Sequence, residues 1–270
     1  MLPDFIIVGS PRSGSTSLAR YLGEHPQIYM AEQKEIHFFS SYYDRGLAWY
    51  ESLFSSAGED QLVAEATPTY LADRVAMGRL VDTLPGAKLV MIFRNPTDRA
   101  WSDYWMRKNR GLEDREFGEI VASEIAAIDA GEIDYDLRFV WHGLYDVHVD
   151  HLLSRVDRDQ IHVAIFEELA SEPETVYSGV CTFLGVDPEV RPDNLGETIN
   201  PHVAFRSLLM RRTAKRIGGL PRRVISAFNT RRDVRYPSLD ARHRTMLDAY
   251  FAPHIERLES IAGLDLEVWS

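Results

Sequence analysis

The chain has 270 residues, a formal net charge of −11 and 26% charged residues. That balance excludes a general nucleic-acid binder, and no apolar run approaches the roughly 18 residues of a membrane-spanning helix. A single cysteine, Cys181, excludes an internal disulfide and reads as a small buried hydrophobe in a reducing compartment, while the start of the chain lacks the pattern of a signal peptide, so a cytoplasmic protein is expected. The first element, DFIIVG at 4–9, is a short, apolar, β-branched run of the kind buried in a parallel sheet. A helix is predicted over 15–24, closed by the turn His25-Pro26, then a short strand QIYM at 27–30 and a helix over 44–55. LVAEA at 62–66 reads as a strand, 68–84 as a helix and KLVMIFR at 88–94 as the strongest later strand. Asn95-Pro96 opens another helix, with Asn as cap and Pro in the first turn. Helices over 114–130 and 143–156, a strand IHVAIF at 161–166, a helix over 173–184 ending at Gly185 and a long helix over 238–262 complete the chain.

Strand and helix alternate throughout. The fold class that follows is α/β: an open, mostly parallel sheet with helices on both faces, in a single domain over 1–270. Residues 186–237 are the least regular and the most basic. Between His202 and Arg235 stand ten Lys/Arg and one acid, Asp233. This region reads as a lid over the site; peripheral contact of 206–223 with an anionic membrane surface is the weaker alternative. In such sheets ligands bind at the carboxyl ends of the strands.

Residues 9–16, GSPRSGST, have the G-x-x-x-x-G spacing of a phosphate-binding loop, between an apolar strand and a helix. Backbone amides in such a loop cradle anionic oxygens, and the helix start adds its positive end. The lysine expected before the last Ser/Thr is replaced by Ser15, and the later strand ends in Arg94 and not in a Mg²⁺ ligand. Both features weaken a triphosphate reading, and Arg12 supplies the basic group instead. A second anion site is read at Arg94 and the helix start after it, with Ser102 two turns in. The competing reading for Arg94 is an ion pair with Asp98.

GSPRSGSTSL, KEIHFF at 34–39 and IFRNPTDRAWSDYW together resemble the sulfotransferases that use 3′-phosphoadenosine 5′-phosphosulfate (PAPS). KEIHFF, WY at 49–50, GLYDVHVDHLL at 143–153 and RYP at 235–237 are more similar to the heparan-sulfate and bacterial carbohydrate-type branch. The resemblance runs from Phe5 to about Ile261. It implies that Arg12, Ser13, Gly14, Ser15, Thr16 and Ser17 hold the 5′-phosphosulfate and that Arg94 and Ser102 hold the 3′-phosphate. It implies basic contacts from Arg232 and Arg235 in a late loop, here RRDVRYP where the family more often has lysine and glycine. It also places Glu35 at the catalytic base.

The implied activity is transfer of a sulfuryl group to an acceptor hydroxyl or amine, with a carbohydrate acceptor first and no metal required. The product would be adenosine 3′,5′-bisphosphate. A P-loop kinase and a non-catalytic nucleotide-binding module are the alternatives. His37 rivals Glu35 as base because an imidazole titrates nearer neutrality. Lys34 either assists the bridging oxygen or pairs with Glu35. Thr67, Thr69 and Tyr70 either line the acceptor pocket or form a capping cluster before a helix. His142, His148 and His151 lack the partners of a metal site, so none is expected.

Overall fold

The computed structural model describes residues 1–133, 136–197, 204–205, 230–231 and 236–270. Most of the 186–237 region expected as a lid therefore lies outside the described residues. Five parallel strands form one sheet: β1 (Phe5–Gly9), β2 (Ile28–Met30), β3 (Leu62–Ala66), β4 (Lys88–Phe93) and β5 (Ile161–Ile165), in the order β2-β3-β1-β4-β5. The helices are α1 (Ser15–Gly23), α2 (Leu47–Ser52), α3 (Arg74–Thr83), α4 (Pro96–Asn109), α5 (Phe117–Asp129), α6 (Tyr145–Leu153), α7 (Phe166–Ser171), α8 (Pro173–Leu184) and α9 (Ala241–Ala262). Two short strands, β6 (Ala204–Phe205) and β7 (Thr230–Arg231), pair antiparallel.

The uninterrupted apolar run of β1 is explained by the period of two. Phe5 and Ile7 pack into the cluster under α1 and α8, whereas Ile6 and Val8 pack on the opposite face with residues of α3, α6 and α9. Both faces are covered, so neither parity tolerates a polar residue. A third cluster joins α4, α5 and α9 around Trp141 and Phe251.

Several predicted helices shorten, three of them for an evident local reason. Residues 67–72 form turns and not the start of α3, because Leu71 N–H bonds back to Val8 O (2.9 Å) and extends the edge of β1. Asp73 then caps α3, accepting from the amides of Val75 and Ala76. The helix expected over 44–55 is interrupted at Gly46, whose φ of 79° follows a 3₁₀ turn and precedes α2. Asp240 caps α9 by accepting from His243 N–H, so that helix starts later than 238. At the other end of the sheet Phe166 opens α7 directly from β5, so the strand stops at Ile165.

The turn at 138–140 is clamped by two buried charges. Arg99, fully buried, donates to the carbonyls of Arg138 and Phe139 (2.7 Å each), and Glu124 accepts from the amides of Phe139 (2.9 Å) and Val140 (2.7 Å). Burial pushes the Glu124 carboxyl up to about 7, against the lowering by those amides and by Arg99. The folded value lies above the unfolded one, so the stabilisation is complete below about pH 4.5 and is lost as pH rises through 7. The upper bound is about 3 kcal/mol. Buried His148, held down to about 4 by desolvation, acts in the opposite sense on the acid side. Subtraction against Glu124→Gln isolates the Glu124 part. The wild type should lose stability relative to this variant between pH 5 and pH 8 in thermal melts, and a constant difference would contradict the assignment.

Candidate active site

Because the sheet is parallel, the carboxyl ends of β1, β2, β3 and β4 share one edge, with β1 at the centre between β3 and β4. The chain leaves β1 through a loop that only glycine permits at two points. A Cβ on Gly9 would lie 2.6 Å from Leu71 Cδ2, and one on Gly14 would lie 2.9 Å from Phe166 Cδ2. Gly14 also holds φ 91° as it starts α1, and no side chain among the described residues caps that helix. Ser13 and Ser15 are buried, while Thr16 and Ser17 sit half-buried at the first turn. This end of α1 is left open to an anion.

Arg12 has φ 71°, and its side chain crosses to α4, where Nε donates to Ser102 Oγ (3.2 Å). Arg94 leaves β4 beneath it, donating from Nη1 to Arg12 O (3.4 Å) and lying 4.7 Å over the Phe166 ring. Tyr145 fixes this position: its ring stacks on Phe93 and its hydroxyl bonds Arg94 O (3.0 Å). The two candidate sites read separately from sequence thus adjoin, joined by the contacts of Arg12 with Ser102 and Arg94. Arg94 Nε is buried with no hydrogen-bond acceptor among the described residues. Burial lowers the Arg94 pKa, opposed by the charges of Asp98 and Glu167 and aided by that of Arg12. Asp98 hydrogen-bonds Arg244 of α9, so the direct Arg94–Asp98 pair is not formed. A cavity of about 360 Å³ opens here, bounded by Arg94, Trp101, Ser102, Tyr236 and Arg244 among others. Trp101 Nε1 bonds Pro237 O (2.8 Å) and docks the 236–239 segment onto α4. Arg232 and Arg235 lie outside the described residues, but the chain resumes at Tyr236 in the cavity wall.

The segment after β2 supplies the second half of the site. Glu35 N–H bonds Ala66 O (3.1 Å), which holds the segment against the end of β3. Lys34 Nζ donates to Thr16 Oγ1 and so ties it to the phosphate loop. The Glu35 carboxylate is 3.5 Å from Lys34 Nζ and 3.8 Å from His37 Nε2. The neighbouring His37 ring is the main cause of a lowered Glu35 pKa, opposed by desolvation and aided by Lys34. Glu35 and His37 have φ of 56° and 55°; with Arg12 they are the only described non-glycine residues at positive φ. Strained backbone of this kind collects at functional sites.

Thr67 and Tyr70 turn away from any acceptor pocket. Both are buried and donate to Glu65, at 2.7 Å and 3.3 Å. Thr69 Oγ1 is buried without a partner among the described residues. His148 bonds Trp141 O (2.8 Å). Sequence reasoning missed Glu65, Trp101, Tyr236 and Arg244. For Glu65 a signal existed: a carboxylate inside an apolar parallel strand is buried and needs partners.

The parallel sheet and the glycine-bounded loop define a P-loop-like α/β protein. The sulfotransferase domain family model matches residues 2–215. The human (Homo sapiens) heparan sulfate glucosamine 3-O-sulfotransferase 6 is 34% identical over 186 residues, covering 68% of this chain and 52% of that protein. A sulfotransferase from Alicyclobacillus acidocaldarius superposes with TM-score 0.76 at 29% identity, over 100% of this chain and 99% of that one. The mouse sulfotransferase SULT7A1, solved in complex with PAP, shares the fold at TM-score 0.56 and 18% identity, over 94% and 84% of the two chains. The chain belongs to the sulfotransferase family, and it spans about half the length or less of the curated relatives it matches. Among the described residues no helix is long and apolar enough to cross a membrane.

Proposed function

We propose that the chain transfers a sulfuryl group from PAPS to a carbohydrate hydroxyl, with Glu35 as general base. The observation that carries this reading is the convergence of Arg12, Arg94 and Ser102 with Lys34, Glu35 and His37 on one sheet edge, in a member of the sulfotransferase family. The residues fit such a donor. Two neighbouring guanidiniums, a buried Arg94 Nε without an acceptor and an uncapped helix start all favour a ligand with separated phosphates. Arg12 and the 13–17 loop hold the phosphosulfate end; Arg94 and Ser102 hold the 3′-phosphate. When bound, the donor supplies an activated sulfuryl group and departs as adenosine 3′,5′-bisphosphate.

The protein's tasks are positioning and charge. Glu35 takes the proton of the attacking hydroxyl as its oxygen bonds to sulfur. Lys34, bonded to Thr16, stands between base and loop and supplies positive charge for the departing bridge oxygen. His37 Nε2 lies 3.8 Å from the Glu35 carboxylate and flanks it. The carbohydrate acceptor is supported by the heparan sulfate enzymes among the relatives.

Ligand protection tests the reading. Adenosine 3′,5′-bisphosphate without Mg²⁺ should raise the melting temperature, and Mg-ATP should not; the reverse result indicates a kinase and overturns the proposal. An acceptor screen with labelled PAPS, read by mass spectrometry and including heparan sulfate oligosaccharides, then separates an enzyme from a binding module.

A further inference from the structure

The base-bearing segment stands on a buried carboxylate. Glu65 in β3 is fully buried, and no Lys or Arg pairs with it among the described residues. Three hydroxyls solvate it instead. Tyr50 OH (2.7 Å) and Tyr70 OH (3.3 Å) donate to Oε1, and Thr67 Oγ1 (2.7 Å) donates to Oε2. Two of these hydroxyls accept in turn from the segment above: Thr67 Oγ1 from His37 N–H (3.4 Å) and Tyr70 OH from Phe39 N–H (3.3 Å). The third, Tyr50, stacks its ring on Phe38 (4.2 Å, 7°). Every residue from His37 to Phe39 is therefore tied to Glu65 through one intermediary.

The proton inventory gives this network a direction. A hydroxyl owns one proton. Thr67 and Tyr70 already accept from backbone amides, so their own protons point at Glu65. A carboxylate accepts all three; any donor at that position opposes at least one of them. Burial raises the Glu65 pKa, while the three hydroxyls and the charge of His37 act against it. The segment so held includes two residues in the left-handed region, Glu35 and His37, a conformation that persists only when its surroundings over-determine it.

We propose that Glu65 is a positioning residue for sulfuryl transfer: through Thr67 and Tyr70 it fixes residues 35–39 so that Glu35 and His37 face the phosphate loop. This rests on the assignment of Glu35 as base. Glu65→Gln substitutes an N–H donor for one carboxylate oxygen at unchanged volume. Amide exchange across 35–39 should rise about tenfold or more in this variant, with exchange across 10–17 unchanged. Turnover with labelled PAPS and heparan sulfate oligosaccharides should fall about 10- to 100-fold in kcat, the scale of a small misplacement of the base. The Kd for adenosine 3′,5′-bisphosphate should stay within about twofold, since the cofactor contacts lie on other strands.

Thr67→Val, which cuts the link to His37, should reproduce the kcat loss, and Thr67→Ser should restore it; this pair decides the matter if Glu65→Gln does not fold. A normal kcat and normal exchange in Glu65→Gln overturn the proposal, as does a cofactor Kd that worsens in step with kcat. Glu35→Gln measured alongside separates the two ideas. If it is inactive while Glu65→Gln is normal, only the positioning role fails. If it is active, the base assignment fails, and a remaining Glu65 effect shows that the network positions His37 instead.

Discussion

Glu35→Gln is expected to lower kcat by about 10²- to 10⁴-fold, the usual contribution of a general base, while leaving the affinity for adenosine 3′,5′-bisphosphate near that of the wild type. The amide keeps the shape of the side chain and an oxygen for Lys34, but it cannot take a proton. The loss should therefore fall on kcat and not on cofactor binding. The pH profile adds a second reading. His37 and Lys34 hold the Glu35 carboxyl below its usual value of 4.5. A carboxyl with a lowered pKa is deprotonated across the neutral range, so the acid limb of the rate should lie below 4.5 and activity should be flat above it. A limb near ~6.5 would instead mark an imidazole as the base. Substantial turnover in Glu35→Gln would falsify the assignment outright.

Arg94→Ala should weaken adenosine 3′,5′-bisphosphate about 10- to 100-fold, the equivalent of roughly 1.5–3 kcal/mol for charge-assisted hydrogen bonds. Adenosine 5′-phosphate, which lacks the 3′-phosphate, should bind nearly as before. The ligand-free protein should not suffer in proportion. Arg94 is a largely buried cation whose Nε has no acceptor, and its neighbour Arg12 is also positive. Removing it relieves desolvation but forfeits the attraction of Asp98 and Glu167 and the bond to Arg12 O, so the melting temperature without ligand should change little. Equal weakening of the two nucleotides would remove Arg94 from the 3′-phosphate.

The sheet was legible because both of its faces are buried. Runs such as FIIV and LVMIF have no other stable home, and the glycines and the Asn95-Pro96 pair punctuate them. Arg12, Arg94 and Ser102 were legible as candidate anion ligands by type, and Arg12 and Arg94 also by place after strand ends. Their contact was not, because it depends on the side chain of Arg12 crossing to α4 over a separation of 90 residues. The left-handed conformations of Arg12, Glu35 and His37 leave no mark in composition, since none is the glycine or asparagine that normally reports such a position. Thr67 and Tyr70 left two readings open for a related reason. Polar residues after a strand either wall a pocket or form a capping cluster, and only the partner, a buried glutamate two positions upstream of Thr67, shows that they face inward.

The place of β1 in the sheet has a kinetic consequence. It is the first strand in the chain and the central one in space, paired with β3 and β4 and not with β2. During synthesis or refolding it has no partner until residue 62 has emerged, and its second flank stays open until residue 88. The phosphate loop that hangs from it cannot take shape earlier, and the strand that completes it delivers Arg94 at its end. Formation of the anion site and closure of the sheet are therefore one late, high-contact-order event, and a nascent chain stalled before β4 presents an apolar strand edge to chaperones and to aggregation.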